Sequence, residues 1–362
     1  MDCGKLTESI YERSVFKVVK TNSTENRKFY DGAGLGADCA VLTGKKVSDN
    51  AHEDCAGLMS GQALASGMDV RLAARAYMAA TNHVIACCAN SAASGLFGSY
   101  ASLTMMVPER MREIKVRNMV EAASIQAEET GIPIMSCNVQ VLPAMTEAVA
   151  TCVVSAGLEH KSDSNLVAMK RRAHVDEDIV MTKWLGLEGT AVIADRSRGR
   201  LCERYPSDIV EEAADFYRYL SVASEAATAV KSGAGYLQVL REGGVFGGLW
   251  QLAADNGVGL VIDLKSIPVR QETIEVCEFF DLNPYELLAG GSLLITTENG
   301  GQLVRALEKA GVPAAVIGRT AQGNDRILRH AGESRFLEPA RGDEIFRYFS
   351  LAEEMKREEG KT

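Results

Sequence analysis

The chain has 362 residues, 46% of them hydrophobic and 24% charged, a balance that suits a folded protein with room for two cores and excludes fibrous and disordered classes. A formal net charge of -9 without any long Lys/Arg run argues against nucleic acid or anionic lipid as a partner. The opening residues lack the apolar core of a signal peptide and no later apolar run reaches a membrane-spanning length, so no membrane association and a cytoplasmic location are expected.

From the N-terminus, Ser9 and Glu12 form a capping-box pattern ahead of Ile10, Val15 and Val19, which predicts a short helix. Gly32, Gly34 and Gly36 then precede the apolar run CAVLT, which reads as a loop entering a strand. Residues 69–90, rich in Ala, Leu and Met and free of Pro and Gly, predict a buried helix, broken by SAASGLFGSY. Pro108 is expected to open a second helix, with Met111, Ile114, Met119, Val120, Ala123 and Ala127 at helical spacing and Gly131 as its stop. IPIMSCNVQVL and AVATCVVSAG read as strands.

The polar stretch LEHKSDSNLVAMKRRAHVDED has no sustained apolar period, which places a domain boundary near residue 170, between domains 1–170 and 171–362. In the second half DIVMTKW and TAVIAD read as strands around the turn LGLEG, and PSDIV through SGAG reads as helical. REGGVFGGLWQLAADNG predicts a glycine loop ahead of a short helix. VGLVIDL, SLLITT and AAVIGRT are strand-like, separated by the helical patterns RQETIEVCEFF and NGGQLVRALEKAG. This alternation predicts an α/β sandwich-like domain.

Nine cysteines are scattered without a C-x-x-C pair, and the histidines do not cluster with them, so buried reduced thiols are expected and neither zinc nor haem. Cys87 and Cys88, with Cys137, have no cationic neighbour in sequence to lower a thiol pKa.

In their order, the blocks KLTESIYERSVFKVVK, GADCAVL, MTKWLGLEGTAVIA, REGGVFGGLWQLA, VGLVIDLKSIPVRQETIEVCEFFDLNPYELLAGGSLLITT and LVRALEKAGVPAAVIGRTAQGNDR resemble the aminoimidazole ribonucleotide (AIR) synthetase-related, PurM-like superfamily. The likeness is to its branch typified by the hydrogenase maturation factor HypE. It spans nearly the whole chain and is most specific from residue 178 to 325. The resemblance implies an α/β (α+β) fold of two PurM-like domains. The N-terminal domains pair through a shared β-barrel in a homodimer, and an ATP site lies in a cleft between domains. Superfamily members use ATP to phosphorylate an oxygen of an amide, carboxamide or similar group, and related members act on selenide or thiamine monophosphate.

Such chemistry needs Mg²⁺ held by carboxylates. By the resemblance Asp38 keeps an acidic metal position. Gln62 stands in a Ser-Thr-Asp-like motif, His83 replaces the acid of an Asn-Asp pair, and Asn138 and Gln140 lie at a strand end that carries acids in the family. In the C-terminal loop Gln238 and Val239 replace a His-Asp pair, while Glu242, Gly243, Gly244 and the following helix remain.

Two readings of that loop stay open: backbone amides of Gly243, Gly244, Gly247 and Gly248 facing a phosphate beside Arg241 and Glu242, or glycines that permit close packing. His83 is a candidate general base or a satisfied core residue. Hydrogenase maturation factors of this type carry their substrate on a C-terminal cysteine, whereas the sequence ends MKREEGKT, so the carbamoyl-to-cyanide activity is not expected.

Two functions follow. One is a dimeric nucleotide- or anion-binding scaffold or regulatory component with weak or lost phosphotransfer, beside an active paralogue or another protein. The alternative is an ATP-dependent enzyme phosphorylating an oxygen of a small amide- or carbonyl-type substrate, with Asp38 and Glu188 or Asp325 as acids and Arg241 on phosphate. Binding of an anionic metabolite without metal lies between them.

Overall fold

The computed structural model describes residues 39–43, 57–91, 95–159, 171–339 and 342–359. The predicted N-terminal helix, Asp38, Cys3 and Cys55 lie outside them. The chain divides into two compact units, one formed by Ser9–Arg171 and the other chiefly by Arg172–Thr362.

Among the described residues the N-terminal unit is a five-stranded sheet with two helices on one face. Its elements are β1 (Cys39–Thr43), β2 (Gly57–Gly67), α1 (Leu72–Asn90), β3 (Gly95–Pro108), α2 (Glu113–Thr130), β4 (Ile134–Leu142) and β5 (Ala148–Glu159). The strand order is β1-β2-β5-β3-β4, antiparallel except for the β3–β4 pair. Period-two alternation selects the covered face: Met59, Ala65, Leu103, Met105, Cys152 and Val154 are fully or almost fully buried. Helix α1 lies on β2 and β5 and also meets α2. Its many alanines let it sit close, and it is buried nearly all round, as a helix without a polar face must be. Gly61 marks the closest approach, because a Cβ there would lie 2.8 Å from Val84 Cγ2 and 3.0 Å from the Ala80 carbonyl oxygen.

The C-terminal unit is built on a seven-stranded sheet. In chain order it holds β6 (Asp178–Thr182), α3 (Leu187–Arg196), α4 (Arg198–Leu201), α5 (Ser207–Ala214), α6 (Ala223–Lys231), β7 (Tyr236–Val239), α7 (Gly244–Asn256) and β8 (Gly259–Asp263). There follow α8 (Gln271–Phe280), β9 (Leu293–Thr297), α9 (Gly300–Lys309), β10 (Ala314–Ala321), β11 (Arg326–His330), β12 (Glu333–Phe336) and α10 (Glu344–Glu359). The order is β12-β11-β8-β10-β6-β9-β7, and only β8 and β11 run parallel. A core that includes Ile179, Met181, Leu249, Leu252, Leu260, Ile262, Leu294 and Ile317 joins α7 to the sheet.

Several expectations need correction. TAVIAD lies in α3, not in a strand. Its Val and Ile suit either state, and burial of Leu187 through Ala194 on every side lets packing override β propensity. Pro108 ends β3 and the helix starts at Glu113, five residues later; Gly131 does stop it, at φ 69°. The segment taken as a break after α1 opens the 14-residue strand β3, and β2 was not foreseen at all. Both strands are rich in Gly, Ala and Ser, and pairing with β5 makes them strands. The long helical reading from Pro206 is divided into α5, a 3-10 turn (Asp215–Tyr219) and α6.

Candidate functional site

The described N-terminal residues that the resemblance singles out, Gln62, His83, Asn138 and Gln140, do not converge on one spot. Gln62 is exposed on the open face of β2, and Asn138 and Gln140 share that face on β4, opposite Thr104 and Met106 of β3. Two strands separate β4 from β2, so these amides stand roughly 14 Å from Gln62, three strand spacings. His83 lies on α1, beneath the other face, 8% exposed. Its Nδ1 is 3.0 Å from the Gln62 carbonyl oxygen, a contact in which Nδ1–H donates. This leaves the ring as a core histidine whose Nδ1 is engaged by backbone.

A buried carboxylate that sequence reading passed over, Asp69, is bound by Arg75 at 3.0 Å at the start of α1. Among the described residues no group of three His, Cys, Asp or Glu side chains could hold a metal ion. Mg²⁺ is usually held by one or two carboxylates together with water and phosphate oxygens, and Gln62, His83, Asn138 and Gln140 supply no carboxylate.

In the C-terminal unit the glycine loop joins β7 to α7. The helix begins at Gly244, so Gly247 and Gly248 lie within its first turns rather than ahead of it. Arg241 and Glu242 pair at 3.0 Å, and the Arg241 carbonyl accepts from Gly244 N–H at 3.1 Å and Ala289 N–H at 3.2 Å. Gly243 and Gly244 have φ 79° and 61°, a left-handed backbone that glycine adopts without strain. A Cβ on Gly244 would lie 2.4 Å from the Tyr285 carbonyl oxygen, and one on Gly247 2.9 Å from that of Glu242. One on Gly248 would overlap Leu240. Each of these three glycines is therefore needed for packing, whatever else the loop does.

The Gly243 amide already has an anionic partner. It donates to Asp343 Oδ2 at 2.7 Å, while Asp343 Oδ1 accepts from Leu288 N–H at 3.1 Å and Ile345 N–H at 2.8 Å. Burial pushes the Asp343 carboxyl up to about 7, the nearby Glu242 adding to the rise and the three amides opposing it. Residue 343 lies a hundred positions from the loop, and no local pattern in the sequence marks it.

Gln238 accepts from Tyr236 OH at 3.0 Å and Val239 is buried in β7. Glu188 is buried on α3 and lies against Gly290, where a Cβ would come within 2.0 Å of Glu188 Oε2. It is thus close to the loop, through Ala289. Asp325 is exposed on the turn before β11 and its carbonyl accepts from Leu260 N–H at 2.8 Å.

Lys183 is a buried, multiply bonded charge of the unit. Its Nζ donates to the carbonyls of Tyr219, Ser221 and Gly291 at 2.7, 2.6 and 2.8 Å and pairs with Glu225 at 2.7 Å. Burial lowers its pKa, against the opposing pull of Glu225.

Comparison with known proteins agrees with this architecture. Residues 179–330 match the family described as AIR synthase related protein, C-terminal domain. Carbamoyl dehydratase HypE of Rhizobium leguminosarum bv. viciae is 23% identical over 264 residues, 70% of this chain and 72% of that protein. The crystal structure of E. coli HypE, a hydrogenase maturation protein, superposes with a TM-score of 0.61 at 19% identity, over 78% of this chain and 86% of that one. A structure of HypE in complex with ATP gives 0.58 at 17% identity, over 93% and 95%. With its two sheets and their helices, the chain has the PurM-like fold of these neighbours, and its residues 179–330 match the AIR synthase-related family.

Proposed function

We propose that this protein is a dimeric nucleotide- or anion-binding scaffold, or a regulatory component, in which ATP-dependent phosphotransfer is weak or lost. The observation that supports this reading is the replacement of acids by Gln62, His83, Asn138 and Gln140, side chains that offer no charge to Mg²⁺. Nucleotide binding is favoured by likeness to a protein solved with ATP and by the loop Glu242–Gly244 that the resemblance retains, with Arg241 beside it. An anion reaching the Gly243 amide has to displace Asp343.

A homodimer is favoured by the uncovered face of the N-terminal sheet. Leu58, Leu64, Tyr100 and Val153 are 45%, 51%, 45% and 37% exposed there, an apolar surface of the kind that marks an interface. A second copy pairing face to face would form the shared barrel of the superfamily. An active paralogue or another protein fits the regulatory role. No described helix is long and apolar enough to cross a membrane.

The test is calorimetric titration with ATP, first with Mg²⁺ and then with chelator, beside an assay of ATP hydrolysis. Binding indifferent to Mg²⁺ and no hydrolysis are expected. Mg²⁺-dependent hydrolysis abolished by Asp38→Ala would overturn the scaffold reading. It would favour the alternative, an enzyme phosphorylating an oxygen of a small amide- or carbonyl-type substrate with Asp38 at the metal and Glu188 or Asp325 as further acids.

A further inference from the structure

Two stretches of backbone turn carbonyl oxygens toward one buried point. Tyr219, which ends the 3-10 turn, and Ser221 beyond it belong to the first, and Gly291, just ahead of β9, to the second. Their oxygens accept from Lys183 Nζ at 2.7, 2.6 and 2.8 Å. A fourth oxygen, Glu225 Oε1 of α6, lies 2.7 Å from the same nitrogen. An ammonium has three N–H donors, so the three carbonyls use them all and Glu225 supplies the counter-charge. A neutral amine, with two donors, would leave one carbonyl unmet.

The two stretches are pressed together. A Cβ on Gly291, where φ is 96°, would lie 2.7 Å from the Tyr219 carbonyl oxygen and 2.9 Å from Leu220 Cα. Carbonyl dipoles converging in a dry interior repel one another and are costly to bury unpaired, so this approach needs a positive centre. Oxygen distances of 2.6, 2.7 and 2.8 Å exceed the roughly 2.0–2.1 Å of Mg²⁺ and 2.3–2.6 Å of Ca²⁺. They suit a larger monovalent ion, which carbonyls hold by replacing its water. Lys183 also has φ 54°, a left-handed backbone that a residue with a Cβ takes only against a steric cost and keeps only where its surroundings fix it. The Gly291 stretch runs on to the glycine loop: the Ser292 carbonyl accepts from Leu240 N–H at 3.0 Å, and Ala289 N–H donates to the Arg241 carbonyl at 3.2 Å.

We propose that Lys183 is a built-in monovalent cation: its ammonium fills a four-oxygen site of potassium or ammonium size, and the filled site positions the 285–292 segment against the glycine loop. Tethering the charge to the chain makes its occupancy independent of the salt around the protein. Cutting the side chain back to Cβ leaves the four oxygens in place as a site for a free ion of the same class.

The test is urea unfolding of the full-length protein in potassium, ammonium and choline chloride at equal ionic strength. For Lys183→Ala the folding equilibrium constant should be roughly tenfold higher with potassium or ammonium, at ten times the ion's dissociation constant, than with choline, which is too large to enter. The wild type should show no such preference, and Lys183→Ala with Glu225→Gln should lose most of it. A preference in Lys183→Ala no greater than that of the wild type overturns the site. If Lys183→Ala is unfolded in choline, recovery of the fold in potassium or ammonium carries the same meaning, and an unfolded chain in all three salts overturns the proposal. Hydrogen exchange reads the positioning: the Ala289 and Gly244 amides, which both donate to the Arg241 carbonyl, should be less protected in Lys183→Ala and regain protection with potassium. Recovery of stability without recovery at these amides overturns the link to the loop. With no nucleotide present, each result is separate from the outcome of the ATP titration.

Discussion

Gly244→Ala should destabilise the C-terminal unit by about 2–4 kcal/mol with no ligand present. The backbone there has φ 61°, and a Cβ would lie 2.4 Å from the Tyr285 carbonyl oxygen, 2.9 Å from the Glu286 carbonyl carbon and 2.9 Å from the Leu287 carbonyl oxygen. A left-handed backbone costs a residue bearing a Cβ about 1–2 kcal/mol. Forcing backbone aside adds about 1–3 kcal/mol, and the stiffer unfolded chain returns about 0.4–1 kcal/mol. Gly257→Ala is the control: φ is 65° at the end of α7, but nothing lies within 4 Å of the added methyl, so only the conformational cost remains, about 1 kcal/mol. Urea unfolding followed by tryptophan fluorescence isolates this unit, because the chain's two tryptophans, Trp184 and Trp250, both lie in it. If Gly244→Ala loses no more than Gly257→Ala, contact with the 285–287 backbone is not what requires glycine. If stability holds while ATP affinity falls, phosphate binding is the requirement instead.

Lys183→Met should cost about 3–5 kcal/mol, since it strands buried Glu225 and three carbonyls, and a further Glu225→Gln change should recover part of the loss; a change under about 1 kcal/mol in urea unfolding would refute this. The same lysine binds its proton less tightly folded than unfolded, so it favours folding increasingly as pH rises from its lowered value toward the ordinary one, a rise that Lys183→Met should abolish. Burial pushes Cys152 and Cys277 up to about 12. A thiol reagent at pH 8 with peptide mapping should therefore label exposed Cys137 and Cys202 and spare those two until unfolding; their early labelling would contradict the packing. Leu64→Asp with Val153→Asp should convert a dimer to monomer in sedimentation velocity with little loss of melting temperature, because both side chains are exposed in the single chain; a persisting dimer would exclude this face.

Periodicity made the longest elements readable. Helix α1 is rich in Ala and free of Gly and Pro, α2 keeps its glycine stop at residue 131, and β6, β8, β9 and β10 are dense apolar runs between turn residues. These signals are local, as are the loop glycines of Arg241–Gly244, which is why they also carried the family likeness. Elements whose state is imposed from outside were not readable: α3 was mistaken for a strand, and β2 and β3, with their Gly, Ala and Ser, take their form from β5.

The candidate site divides along the same line. Sequence alone determined that Gln62, His83, Asn138 and Gln140 bring no carboxylate, because residue type is a local fact. Only the tertiary structure decided that Gln62 and His83 belong to opposite faces of one sheet and that Lys183 closes a buried knot of carbonyls. It alone placed Asp343 on the glycine loop from a hundred residues away. The reason is desolvation: a buried amide or charge must find a partner, and folding, not chain order, supplies it.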